Sequence, residues 1–229
     1  MSVGPWEGLN LSLFCGDRPE HVEANTGAVA DALGIPAQWA RVRQVHGARA
    51  VKAERPAAKV GRVATEVEAA VPDELTSREA DAIVVSDSHL PAAVLTADCV
   101  PIALVGESSS AVVHAGWRGM CAGVIQSAVD AMQEPYPRAW IGPCIGPCHY
   151  VVGPELVERF DSSYAGSPDF CESAGGQLRF DLRAAARWLL RRAGAVVGDE
   201  DPPCTACETR FYSHRRDGAT GRQAVLVWR

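Results

Sequence analysis

The sequence has 229 residues, 47% of them hydrophobic, and a formal charge of −6 from 22 Lys and Arg against 28 Asp and Glu. A chain of this size can bury one substantial core, while an acidic balance with scattered basic residues argues against a nucleic-acid surface, which carries a net basic patch or stripe. No apolar run is long enough for a membrane span, and Met1-Ser2-Val3-Gly4-Pro5-Trp6-Glu7 lacks the basic and apolar order of an export signal, so a cytoplasmic protein with mostly reduced cysteines is expected.

In chain order, the loosely alternating run Leu9 to Phe14 predicts a first strand. A helix follows, capped by Asp17 with Pro19 in its first turn; Val22, Thr26, Val29 and Leu33 recur at helical spacing before Gly34 stops it. Trp39 to Val45 predicts a second strand ending at His46-Gly47. Residues 52–80, with Pro56, Gly61, Pro72 and many charges, are expected to be a surface insertion. Short apolar runs at Ile83–Val85, Ala93–Leu95, Ile102–Val105 and Ala111–Val113 then predict the strands of a central sheet.

A helix is expected from Gly119 to about Met132, a short strand at Trp140-Ile141, and a helix from Pro154 through Phe160. The polar stretch Asp161 to Gly176 is expected to loop. A last helix is capped by Asp181, buries Leu182, Ala185 and Leu189 and stops at Gly194, and the strand Ala224–Trp228 ends the fold.

His46, Cys99 and His114 each stand where an apolar run gives way to a turn marked by Gly or Pro. Two imidazoles and a thiolate with an open fourth position suit a catalytic Zn²⁺, and copper accepts the same set. The same residues also suit a Cys–His pair in which an imidazole lowers the thiol pKa. After His114 the chain turns through Gly116 and Gly119 into a helix, whose first backbone N–H groups make a candidate anion seat, with Arg118 beside it and Arg43 three residues before His46. Cys204-x-x-Cys207 has the spacing of half a zinc site, but no matching second half is evident, and the simpler reading is two loop cysteines. Cys144 and Cys148 read as residues of a tight Gly-Pro loop, and His149 as structural.

At these positions the sequence resembles the YfiH-like laccase-domain family, whose members are named variously multicopper polyphenol oxidases, purine nucleoside phosphorylases and peptidoglycan editing factors. The resemblance covers nearly the whole chain. It rests on Gln44-Val45-His46-Gly47, Thr96-Ala97-Asp98-Cys99, His114-Ala115-Gly116-Trp117-Arg118-Gly119, Ile141-Gly142-Pro143 with Ile145-Gly146-Pro147-Cys148, and Phe211-Tyr212-Ser213 with Arg215-Arg216-Asp217-Gly218. The chain departs from the family pattern at His214, where a tyrosine is usual, and at Val151, Ala186 and Thr26.

The resemblance implies a single α+β domain over 1–229, with mixed β-sheets and helices packed on the outer faces. It also implies a metal site, usually zinc, on His46, Cys99 and His114. The implied activity is phosphorolysis of adenosine, inosine and S-methyl-5′-thioadenosine, with adenosine deamination beside it. Phosphate would be held by Arg118, Arg43 and the Gly116–Gly119 turn. The competing expectations are copper-dependent oxidation of phenols and a hydrolase of cell-wall precursors with Cys99 as nucleophile. Small-molecule nucleoside and phosphate are the implied partners, with neither nucleic acid nor membrane.

Overall fold

A computed structural model describes residues 1–54 and 77–229. Its central element is a six-stranded mixed sheet in the order β1 (Ala50–Ala53), β2 (Ala82–Val85), β5 (Ser110–Ala115), β4 (Val100–Val105), β6 (Arg138–Ile141), β10 (Val196–Val197). The inner pairs β2–β5, β5–β4 and β4–β6 are antiparallel, and the two edge pairs, β1–β2 and β6–β10, are parallel. Two smaller sheets complete the set: an antiparallel ribbon of β3 (Ala92–Thr96) with β11 (Gln223–Val227), and a three-stranded sheet of β7 (Val151–Val152), β9 (Gln177–Phe180) and β8 (Cys171–Ala174).

The uninterrupted apolar runs of β2 and β5 are explained by burial on both faces. Ala82, Val84, Ala111, Val113 and Ala115 face a helical layer, while Ile83, Val85 and Val112 face the ribbon. The helical layer is built from α2 (Trp117–Ala122), α3 (Val124–Met132), α4 (Pro154–Ser163) and α5 (Leu182–Arg192). The outer face of the ribbon, through Ala93 and Leu95, packs on α1 (Pro19–Leu33) and Trp39. A short helix, α6 (His214–Asp217), precedes β11. The fold is α+β with helices on the outer faces, as expected. Among the described residues no helix is long and apolar enough to cross a membrane.

Four local expectations are corrected. Leu9–Phe14 is not a strand, because the Asn10 side chain accepts the Ser12 N–H at 3.1 Å and bends the chain. Asp17 does not cap α1: Ser2 and Asn10 occupy one of its oxygens and the Arg18 N–H and His21 engage the other, leaving Arg18 at the cap position. Trp39–Val45 makes only isolated bridges, at Ala40 with Ala92 and Arg43 with Glu79. There the Gln44 side chain takes the place of a ladder partner, donating to the Leu95 carbonyl and accepting from the Leu95 N–H, both at 2.8 Å. The expected loop 161–176 instead continues α4 to Ser163 and then forms the hairpin β8–β9, closed by Gly175 and Gly176 at φ 60° and 76°, both left-handed as a tight two-residue turn requires.

Two further boundaries differ. The helix expected from Gly119 begins at Trp117 and is broken at Gly123, whose φ of 92° separates α2 from α3. Lys52 and Ala53, the first residues of the expected insertion, belong to β1, and residues 55–76 lie outside the described residues.

Candidate active site

Strand alternation decides which side chains meet. His114 falls on the same face of β5 as Val112, and Asp81, one residue before β2, falls on the same face as Ile83. The register that pairs Ala82 with Val113 sets Asp81 opposite His114. The His114 N–H donates to the Asp81 carbonyl at 2.7 Å, and the side chains meet too, with Nδ1 of His114 2.7 Å from Asp81 Oδ1.

Asp81 is fully buried and holds the second histidine as well. Its carboxylate accepts the backbone N–H groups of His46 at 2.9 Å, Gly47 at 2.7 Å and Val45 at 3.3 Å. His46 adopts φ 59°, a left-handed conformation that a histidine holds only when its surroundings fix it, and these hydrogen bonds do so. Asp98, which delivers Cys99, is likewise left-handed at φ 101°. Its side chain accepts from Thr205 Oγ1 and the Arg215 N–H, both at 2.6 Å, and its carbonyl accepts from the Ile145 N–H at 2.9 Å.

The result is one cluster. Cys99 Sγ lies 3.7 Å from His46 Nε2, the two imidazole rings sit 4.7 Å apart at 76°, and the three donor atoms are all within 4.8 Å of one another. A side chain at Gly116 would place its Cβ 2.8 Å from His46 Cδ2 and 3.1 Å from Cys99 Sγ, so only glycine admits this approach. Gly119 packs in the same manner on Gly47, where a Cβ would lie 3.0 Å from the carbonyl oxygen.

Burial by itself would raise the Cys99 thiol and lower the His114 imidazole. Their mutual attraction, with a hydrogen bond between His46 and the thiol and one from the His114 ring N–H to the Asp81 carboxylate, overrides it. The thiol is pulled down to about 6 and the imidazole pushed up to about 9. The pair favours thiolate and imidazolium, which is one state of a nucleophilic cysteine. The donor set fits a metal equally well. With Nδ1 of His114 held by a carboxylate, Nε2 is the ring nitrogen left for coordination, the arrangement by which outer carboxylates orient metal-binding histidines. The 3.7 Å between Cys99 Sγ and His46 Nε2 is close to the roughly 3.6 Å expected between S and N ligands of one tetrahedral zinc.

The cluster lies in a cleft of about 630 Å³. Arg43 and Arg118 both line it, as do Arg41 and Arg222. Arg118 is exposed and stacks its guanidinium 4.4 Å from the Trp117 ring centroid, whereas Arg43 is 3.3 Å from Glu79. Arg41 is already committed to the Leu11 carbonyl and Thr26 Oγ1, and burial lowers it to about 10. Leu13 and Phe14, the latter 75% exposed, supply apolar surface on the same cleft.

Sequence reading did not single out Asp81 or assign Asp98 a role. The available signal was a carboxylate at the edge of an apolar run, Ala80-Asp81-Ala82-Ile83, where a charge must find a partner. The reading of Cys204 and Cys207 as isolated loop cysteines is corrected too. Cys148 and His149 come from another loop to meet them, and the four donor atoms lie within 4.8 Å of one another.

The family model described as multi-copper polyphenol oxidoreductase laccase matches residues 1–229. The chain belongs to the YfiH-like laccase-domain family. Among members of this family, the chain is 33% identical to purine nucleoside phosphorylase YfiH of Shigella flexneri, over all of this chain and 89% of the relative. It is 37% identical to a purine nucleoside phosphorylase of Xylella fastidiosa, over all of this chain and 87% of that protein. Of solved YfiH-like structures, a Neisseria meningitidis protein superposes with a TM-score of 0.83 at 34% identity, covering all of this chain and 89% of the other. YlmD from Geobacillus stearothermophilus gives 0.83 at 32% identity, over all of this chain and 87% of the other.

Proposed function

We propose that the chain is a purine nucleoside phosphorylase. It would cleave adenosine, inosine and S-methyl-5′-thioadenosine with phosphate to free base and ribose 1-phosphate or its methylthio analogue, with adenosine deamination as a second activity and zinc on His46, Cys99 and His114. The observation that carries this reading is a single cleft that combines the His/Cys/His cluster, four arginines and an apolar wall. The names borne by the relatives point the same way.

Phosphate is assigned to Arg118 and Arg43, whose planar guanidinium groups suit an oxyanion, while Gly116 and Gly119 act from below by admitting the close packing of His46, Cys99 and Gly47. The purine face is assigned to Leu13 and Phe14. A phosphate oxygen forms a bond to C1′ as the C1′–N9 bond breaks, and the electron pair of that bond leaves with the base, which must be protonated or hydrogen-bonded at N7. With both cluster histidines coordinating metal, that proton is assigned to His214, which lines the cleft and whose Nδ1–H donates to the Gly218 carbonyl at 2.8 Å; as the imidazolium it would carry the transferred proton on Nε2 and be left neutral. Zinc, when bound, supplies a Lewis acid and a water of lowered pKa, the chemistry deamination needs. Asp81 keeps His114 in the coordinating tautomer throughout.

The test is base release by purified, metal-analysed protein from each nucleoside, with and without phosphate, beside Cys99→Ala. Phosphate-dependent release, matched by ribose 1-phosphate and absent in the variant, is the expected result. Absence of turnover on any nucleoside would overturn it. A covalent adduct on Cys99 in place of base release would instead favour the cysteine hydrolase, a reading that the lowered thiol pKa keeps in view. Copper-dependent phenol oxidation needs several coppers, and among the described residues His46 and His114 are the only histidines that reach this cluster.

A further inference from the structure

We propose that Cys148, His149, Cys204 and Cys207 form a second metal site, a structural Zn²⁺ centre independent of the catalytic reading of His46, Cys99 and His114. Two short segments of irregular backbone, 142–150 and 203–208, meet at this point. Each contributes two donors, Cys148 and His149 from one and Cys204-x-x-Cys207 from the other.

The separations match one shared ion. Ligands of a tetrahedral zinc, with Zn–S of about 2.3 Å and Zn–N of about 2.0 Å, lie roughly 3.8 Å apart for two sulfurs and roughly 3.6 Å for sulfur and nitrogen. Here Cys148 Sγ is 3.7 Å from Cys204 Sγ and 3.5 Å from Cys207 Sγ, and His149 Nδ1 is 3.3 Å from Cys148 Sγ and 3.4 Å from Cys207 Sγ. Three thiols and an imidazole without a carboxylate is a soft set that selects zinc over magnesium or calcium.

The turn around Cys204 is formed as a thiolate-binding turn. Its sulfur accepts the Gly146 N–H at 3.1 Å and faces the N–H groups of Ala206 and Cys207, while the N–H groups of Cys207 and Glu208 close on the Cys204 carbonyl, both at 3.1 Å. Positive charge is at hand from Arg216, which donates to the Thr205 carbonyl at 2.8 Å, and from Arg215, which donates to the His149 carbonyl at 3.0 Å.

A disulfide accounts for less of this arrangement. It would join two of the three sulfurs and leave the third thiol and His149 converged without a reason. The position explains what an ion would do. The backbones of Cys144 and Cys204 pair in an isolated parallel β-bridge between the two segments, and from those segments Ile145 and Thr205 both donate to Asp98, the residue that delivers Cys99. An ion would clasp the segments that fix that residue.

The experiment uses the full chain carrying His46→Asn and Cys99→Ala, which disables the first cluster and keeps the Asp81–His114 pair; asparagine tolerates the left-handed backbone at 46. The protein is purified under reducing conditions, stripped with chelator and titrated with Co²⁺. The expected result is one Co²⁺ per chain with thiolate charge-transfer bands and the intense visible bands of tetrahedral cobalt, displaced by one equivalent of Zn²⁺. Adding Cys207→Ser should weaken or abolish them, with far-UV circular dichroism reporting the fold.

A second readout needs no further substitution. Bound Zn²⁺ should slow alkylation of Cys148, Cys204 and Cys207 by roughly tenfold or more, mapped by mass spectrometry, because coordinated thiolates are shielded. Absence of tetrahedral bands, or alkylation of the three thiols unaffected by Zn²⁺, would overturn the proposal. So would a Cys148 disulfide to Cys204 or Cys207 in metal-free protein isolated without reductant.

Discussion

Asp81→Asn is the most informative single change, since one carboxylate holds the ring of His114 and the backbone of His46. An asparagine fits the same space in two orientations, and both fail. With its oxygen toward His114 and the His46 N–H, its NH₂ group faces the N–H groups of Gly47 and Val45, donor against donor, where the carboxylate now accepts at 2.7 and 3.3 Å. Losing an acceptor costs about 1–3 kcal/mol for a buried group, and the site is fully buried, so a destabilisation of about 3 kcal/mol is expected in the metal-free protein. Flipped, the NH₂ group faces His114 Nδ1 and drives the ring proton to Nε2, the nitrogen required for coordination. Loss of an outer carboxylate of this kind costs about 10–100-fold in metal affinity. Urea denaturation of stripped protein and a Zn²⁺ titration against a competing chelator measure the two effects, with Asp31→Asn on the exposed face of α1 as a control expected to stay within about 0.5 kcal/mol. Wild-type affinity and a wild-type urea midpoint in Asp81→Asn would refute the reasoning.

Alkylation of Cys99 in metal-free protein should show its inflection near pH 6 rather than the ordinary 9.0; a midpoint above 8 would sink the ion-pair account. The thiol, depressed on folding, stabilises most above 9.0 and loses this as pH falls through about 6, while the imidazole, raised on folding, stabilises most below 6.5 and loses this as pH rises through about 9. Across pH 6.5 to 9 one contribution grows as the other fades, so the melting temperature of stripped protein should stay nearly level there; a steep slope in that range would contradict the pairing. Gly116→Ala should retain the fold at a cost of about 1–3 kcal/mol yet lose the metal of the His46–Cys99–His114 cluster, because its Cβ would meet His46 and Cys99; an undiminished metal content per chain by elemental analysis would contradict this. Arg118→Ala should raise the KM for phosphate about tenfold or more, as expected for loss of a charge-assisted contact of about 1.5–3 kcal/mol, while the nucleoside KM moves little; the reverse pattern would reassign Arg118 to the nucleoside.

Much of the sheet was legible because its inner strands are buried on both faces and read as plain apolar runs, as in Ile83–Val85 and Ala111–Val113. His46, Cys99 and His114 were legible from their place at the ends of such segments. Trp39–Val45 looked like a strand and was not, since a side chain, Gln44, supplies the hydrogen bonds a ladder would. The β8–β9 hairpin was missed because β8 is polar and mostly exposed and β9 is only four residues long, with Gly175-Gly176 to announce the turn. Asp81 and the Cys148–His149 half of the second cluster were hidden for a different reason: their partners lie far away in the chain, and only strand register or loop contact brings them together.

The ribbon over the central sheet joins β3 to β11, segments more than a hundred residues apart in the chain. Until β11 arrives, β3 presents an open hydrogen-bonding edge, and the side of the sheet carrying Ile83, Val85 and Val112 is only partly covered. Closing so long a loop is slow compared with forming the helices and the β4–β5 hairpin. The interval before closure is when the chain is most exposed to association with its own copies. Yield on refolding should therefore depend on protein concentration, and substitutions that weaken the β11 pairing should reduce recovery of native protein before they alter the chemistry of the finished cleft.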